Sequence, residues 1–349
     1  MPIEQPDRND DTSRLPFATK IIPPSIPLSP AKRGSLPIWA ALGIALGMLL
    51  GGIGLYTWPS FRTPVAPPFA APTGAAQSAL SPIQVEAATS QEILNRIASA
   101  LTIYRLAENP RVLVLDFPSL KQQGRMLDRI AAQVEKAQTP KKHLLNDADL
   151  QTSVKAIGET PDGYYYGHDY SAAALTHFFA LADRDEVALT QEEIMLRRLL
   201  QQEGWFGPGF KAGLISLPTI GADKNITRAA RLAILNHELA HGEYFANPEY
   251  AAYVNRFWKS MVTTKEQSDI RAFLMSEGYD SNNEELVENE AQAYLMFTVD
   301  PTFFSPTRSG MAVERRNELQ ARFHAGMKAS WLRDVLTTLL PPTDALQRR

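Results

Sequence analysis

The residues best placed to do chemistry are His237, Glu238 and His241, in the run Asn236-His237-Glu238-Leu239-Ala240-His241. On a helix, positions four apart share a face. Two imidazoles can therefore reach one cation, and Glu238, one position on, can reach a water beside it. This H-E-x-x-H spacing is the arrangement of zinc hydrolases. Ala230, Ala233 and Ile234 lie one or two turns earlier, on or beside the same face. The helix is therefore expected to be buried, and a buried face carrying two His and a Glu needs partners for them. The competing reading is a pair of hydrogen-bonded core histidines with a surface Glu. The chain has no cysteine and six histidines. That excludes disulfides, thiolate catalysis, Cys-ligated zinc and iron–sulfur clusters, so any metal site must be built from His and carboxylates.

A catalytic zinc site needs a third protein ligand and one open position. The pattern H-E-x-x-H-x-x-G-x-x-H fails here, because Tyr244 stands where Gly is needed and Asn247 where the third His is needed. The third ligand must be a downstream carboxylate, or a distant histidine such as His324. The best source is Leu286-Val287-Glu288-Asn289-Glu290-Ala291-Gln292-Ala293-Tyr294-Leu295, a carboxylate pair in an otherwise apolar helix. A solvated acidic face is the plain alternative, but Leu286, Val287, Ala291 and Leu295 make it awkward.

With these two segments the sequence resembles the gluzincin zinc peptidases. In that family H-E-x-x-H is followed at a distance by a helix bearing a Glu ligand, often preceded by Asn and followed three residues later by a small residue. Asn289-Glu290 with Ala293 matches, and the resemblance implies Glu290 as third ligand. Glu288 with Ala291 matches the second half of the pattern and stays open as the alternative. The resemblance also implies a zincin-like domain whose sheet has an edge strand just before the active-site helix. Residues 212–217 occupy that place in the order, and an exposed edge can hold an extended peptide by main-chain pairing. The resemblance covers about eighty residues, from this strand to the second helix; residues 90–205 carry no recognised family pattern.

The chemistry expected is hydrolysis of a peptide bond by a metal-activated water, with Zn2+ held by His237, His241 and Glu290 and with Glu238 as general base. His324, Tyr294, Arg315 and His168 are candidate donors to the oxyanion. The other function classes in view are a non-catalytic zincin-like binding module and a zinc amidase acting on cell-wall material.

Elements must position these residues. Helical spacing is expected through Ile93, Ile97, Leu101 and Tyr104, and residues 111–116 read as a strand. Residues 120–136, 171–182, 191–203, 227–245, 249–260, 280–297 and 315–340 read as helices. Thr190 and Glu193 form a capping-box pattern, and 141–166 read as loop, with His168 in a polar turn just after it. The fold class expected is mainly α with a small β-sheet (α+β), over residues 90–340.

The front of the chain differs. Of 25 prolines, 14 precede residue 86. Residues 1–36 are expected to be a disordered cytoplasmic tail. Within 37–58, residues 38–58 carry no charge and are long enough to span a bilayer as a helix. Trp39, Tyr56 and Trp58 sit at the ends, and Lys32 and Arg33 precede it. The positive-inside rule then places the N-terminus in the cytoplasm and the domain outside, as in a single-pass inner-membrane protein of the periplasm. Gly43, Gly47 and Gly51 share a face on which two such helices could pair into a homodimer. Residues 59–89 read as a Pro/Ala-rich linker, and 341–349 as a C-terminal tail. A net charge of −3 and a pI of about 6.1 argue against nucleic acid as a partner; a protein or peptide substrate is expected.

Overall fold

The computed structural model describes residues 81–156, 160, 165–298, 300–301, 303–328 and 331–339. The tail, the candidate membrane helix with Gly43, Gly47 and Gly51, most of the linker and the last residues lie outside them. Among the described residues no helix is long and apolar enough to cross a membrane.

Helices predominate around one mixed five-stranded sheet, so the α+β class holds. The strands are β1 (Glu86–Ala88), β2 (Thr102–Leu106), β3 (Val112–Phe117), β4 (His168–Ser171) and β5 (Gly213–Pro218), in the order β1-β2-β3-β5-β4. β3 and β5 run parallel, with Val114 opposite Ile215. β4 pairs antiparallel to β5, with Asp169 opposite Ile215.

Alternation along the strands feeds two cores. Val112, Val114, Ile215 and Leu217 join one, on the face covered by α6 (Arg228–Ala246). Leu113, Leu115, Phe117, Leu214 and Tyr170 join the other, under α2 (Leu120–Val134), α4 (Ala172–Arg184) and α5 (Gln191–Gln202). Both cores are fully sequestered, which is why β3 and β5 read as continuous apolar runs. The capping box at Thr190 and Glu193 is present.

Several expectations change. The helix expected through Tyr104 stops early: α1 is Ser90–Asn95, Arg96 takes extended dihedrals, and Tyr104 sits in β2 between β1 and β3. Sheet pairing outweighs a helical spacing that would have left Ile97 facing inward; it is 71% exposed. β1 lies within the stretch read as linker. The expected loop contains α3 (Asp147–Ala156), and β4 occupies the expected turn around His168. Residues 212–217 form an inner strand, not the edge, because β4 pairs outside it. Beyond α7 (Pro248–Met261) lies α8 (Thr264–Ser276), which the sequence reading passed over. Then come α9 (Glu284–Gln292), a π-helical turn at Ala293–Phe297, α10 (Val313–Gly326) and α11 (Trp331–Leu339). The single helix expected over 315–340 divides after Gly326, where Met327 is extended.

Candidate metal centre

α6 begins at Thr227, whose hydroxyl accepts from the Ala230 amide at 3.1 Å. One turn in, Arg231 anchors it. The guanidinium meets Asp116 of β3 at 2.8 and 2.9 Å and donates to the carbonyls of Pro218 (2.6 Å) and Ile93 (2.7 Å). Arg231 and Asp116 have no exposed surface. Further along, Gly242 lies directly on Gly213 of β5: a Cβ on Gly213 would stand 3.0 Å from the Gly242 carbonyl oxygen. Absence of both side chains lets helix and strand touch. At its end, Glu243 accepts from Asn109, Asn247 and Trp331 at 2.7–2.8 Å.

This clamped helix turns His237 and His241 toward α9. Their Nε2 atoms lie 3.0 Å apart, and Glu290 Oε2 is 3.8 Å from each. Glu288 points elsewhere: both its oxygens accept from Asn255 of α7 at 2.8 Å. The two acids are two residues apart on one helix, so they face different neighbours. Only Glu290 joins the histidines.

The tautomer of His237 follows from its partners. Thr298 Oγ1 donates to the Ala293 carbonyl at 3.0 Å and therefore accepts from His237 Nδ1 at 2.8 Å, leaving Nε2 as a lone pair toward the centre. The π turn makes this possible, since the Thr298 amide also bonds to Ala293; such insertions into helices recur at functional sites. Tyr294 of the same turn sets its ring edge-on to His237, 4.7 Å between centroids. His241 Nδ1 faces Asp169 of β4 at 3.4 Å. A carboxylate behind a histidine in this way fixes a ligand's ring and raises its basicity.

Sequence reasoning passed over Asp169, although it singled out the neighbouring His168. Alternation separates the two. Asp169 faces α6, whereas His168 faces the other core, where Nδ1 meets the Tyr170 hydroxyl at 2.9 Å and Nε2 lies 3.8 Å from Asp128. His324 packs against Phe297 and Phe323. Arg315 is spent on Glu266 and Glu318. Of the four candidate oxyanion donors, only Tyr294 touches a motif residue.

The electrostatics are severe. Burial pushes the His237 imidazole well below its usual range, assisted by His241, and His241 down to about 4, with Asn289 pulling the other way. Both are neutral at pH 7 and ready to donate lone pairs. Burial raises Glu238 and Glu290 well above the carboxylate range, and neighbouring Asp169 and Glu135 push in the same direction. Asp169 is raised to about 7 by burial, and Glu135 to about 8 by burial and then by Asp169. Four carboxyls thus crowd one enclosed place. Lys136 moderates both Glu135 and Glu290, and Lys141 assists at Glu135.

Glu238 is held by close backbone contact. A Cβ on Gly167, the residue before β4, would fall 2.0 Å from Glu238 Oε1. A cleft of about 170 Å³ adjoins the centre, lined among others by Glu135, Asp169, Ser171, Phe245, Glu285 and Asn289. It runs along the edge strand β4.

No family model, no curated protein and no solved structure matches this chain.

Proposed function

We propose that this chain is a zinc-dependent peptidase of the gluzincin type, anchored in a membrane by residues 38–58 with its folded domain outside the cytoplasm. The observation that carries the reading is the convergence of His237, His241 and Glu290 on one buried point, with their ligand atoms all within 4.8 Å of one another. Zinc ligands in a tetrahedron stand about 3.3 Å apart. The observed 3.0 and 3.8 Å bracket that spacing. Glu290 Oε2, Glu238 Oε2 and His241 Nδ1 are enclosed and make no hydrogen bond. Orphaned polar atoms are costly in a protein interior, and a divalent cation would hold these acids in the ionised form that burial otherwise opposes. The core-histidine alternative leaves Glu238 Oε2 and Glu290 Oε2 without a partner.

Zinc held there would supply Lewis acidity and lower the pKa of water toward about 7. Glu238, which does not share the ligand cluster, would take the proton from the attacking water and pass it to the leaving amine. Asp169 would hold the His241 ring, and Thr298 the His237 ring. The cleft beside β4 would admit an extended peptide, which can add to a strand edge through its main chain. β4, rather than β5, takes that role in this reading.

The test is metal content and hydrolysis together. The purified chain should carry zinc near one equivalent, and His237→Ala should abolish it. Glu238→Gln should retain zinc and lose hydrolysis of an unstructured protein such as casein. A folded wild-type chain that takes up no metal would refute the reading. Retained hydrolysis in Glu238→Gln would remove the peptidase mechanism while leaving the metal site.

A further inference from the structure

The candidate centre is sealed. His237, Glu238, His241 and Glu290 are each at most 3% exposed. One wall of the neighbouring cleft comes from the end of α2, β4 and α4; the other comes from α6 and α9. Just beyond the end of α2, beside Glu135 of the cleft lining, a small backbone bridge joins this wall to the connection between α8 and α9. The Ala137 amide donates to the Gly278 carbonyl at 3.3 Å, and the Asp280 amide donates to the Glu135 carbonyl at 2.8 Å. Lys136 and Tyr279 stand directly opposite each other, antiparallel. The segment after α8 reaches this place because Gly278 adopts φ +87, a left-handed conformation that other residues rarely take.

Side chains reinforce the bridge. The Lys136 ammonium lies over the rings of Tyr165 (4.5 Å) and Tyr279 (5.2 Å) and donates to the Glu277 carbonyl at 3.2 Å. Tyr165 is two residues before Gly167, whose backbone rests on Glu238. The Tyr279 hydroxyl sits beside the Glu290 carboxyl. One bridge residue therefore reaches the third ligand, and the other reaches the segment that covers the base.

We propose that residues 135–137 and 278–280 form a strap that closes the cleft over the metal centre, and that substrate enters only when the strap parts. The proposal rests on the metallopeptidase reading above for the identity of what enters, but not for the existence of the closure. Two backbone hydrogen bonds joining the end of α2, which lines the cleft, to the segment just ahead of α9 form a local unit able to open without unfolding the sheet. Opening would withdraw Tyr279 from Glu290 and Tyr165 from the approach to Gly167, so access and the positioning of ligand and base change together.

The absence of cysteine makes the test clean. The paired residues 136 and 279 lie between the two flanking hydrogen bonds, the pair type with Cα atoms about 4.5 Å apart, within the range a disulfide spans. Lys136→Cys/Tyr279→Cys in the full chain can form one disulfide only. The oxidised and reduced forms of this same variant are compared, with closure of the bond checked by mass. In the oxidised form, extraction of zinc by a chelator should slow at least about tenfold, since local opening gates exchange. Casein hydrolysis should fall alike, and reduction should restore both. Equal extraction and equal hydrolysis in the two forms would overturn the strap, as would a pair that does not oxidise. Ala137→Pro supplies the opposite perturbation, because it deletes one strap donor; it should speed extraction, and unchanged extraction counts against the proposal. In the wild-type chain the Ala137 and Asp280 amides should exchange with deuterium together and well before β3 and β5. Protection equal to that of those strands would overturn the strap even if no zinc binds, whereas absence of zinc alone would refute only the metallopeptidase reading.

Discussion

Replacing Gly167 by alanine separates the proposed role of Glu238 as base from the proposed metal cluster. Gly167 is not in the left-handed region, so its backbone accepts a side chain; the difficulty is what the new Cβ meets. Ideal placement puts it 2.0 Å from Glu238 Oε1, 2.7 Å from Cδ and 3.1 Å from Cγ. Carbon and oxygen that are not bonded approach to about 3.2 Å at closest, so the carboxyl must retreat by about 1.2 Å or the segment before β4 must lift. Glu238 has little free volume to retreat into, being 2% exposed. A displacement of about 1 Å at a catalytic group costs on the order of 100-fold in rate. Overpacking itself costs about 1–3 kcal/mol of stability. His237, His241 and Glu290, the proposed ligands, are not among the atoms the methyl meets. Gly167→Ala should therefore keep its zinc, keep a KM close to wild type and lose about two orders of magnitude in kcat on an unstructured protein substrate. Zinc is measured by atomic emission and rates by release of labelled fragments. Wild-type kcat in Gly167→Ala would show that the Glu238 position does not matter to the reaction. Loss of zinc with the fold intact would show that the segment before β4 supports the ligands rather than the base.

Other outcomes follow from the same geometry. Glu290→Gln should weaken zinc binding by more than the roughly 10–100-fold typical of outer-sphere partners, whereas Glu288→Gln, which only loses charge toward Asn255, should leave it unchanged; competition with a coloured chelator reads both. Asp116→Ala leaves the buried Arg231 guanidinium uncompensated and should cost about 3–5 kcal/mol in denaturant unfolding. The metal-free chain should lose stability as pH rises. Asp169 and Glu135, raised in the folded state to about 7 and about 8, contribute fully below the ordinary carboxylate pKa, and their contribution is lost as pH climbs through those values. Melting temperatures from pH 5 to 9 should therefore fall in the metal-free protein and flatten with zinc; a metal-free curve that rises through pH 7–8 would contradict the burial argument.

Much of the centre was legible because its signals are local. His237, Glu238 and His241 are spaced by the helix repeat, and an apolar flank marks their face as inward. The helices bounded by good caps, such as α5 after Thr190, were read within a residue or two. Elements set by non-local pairing were not. β2 lies where its spacing suggested a helix, because its partners β1 and β3 decide its conformation. β4 is four polar-looking residues whose strand character comes from β5 alone.

The sequence by itself determined that any metal site here must be of His and carboxylate and that one helix presents both histidines, and it narrowed the third ligand to a downstream acid or a distant histidine, because covalent inventory and helical periodicity are properties of the chain. Tertiary structure decided which of the two buried acids faces the histidines, that Asp169 backs His241 while its neighbour His168 faces another core, that Gly167 rests on Glu238, and that segments 135–137 and 278–280 meet beside the cleft. Those facts depend on strand register, on two glycines letting α6 sit against β5, and on packing between residues far apart in the chain. No local pattern encodes that geometry.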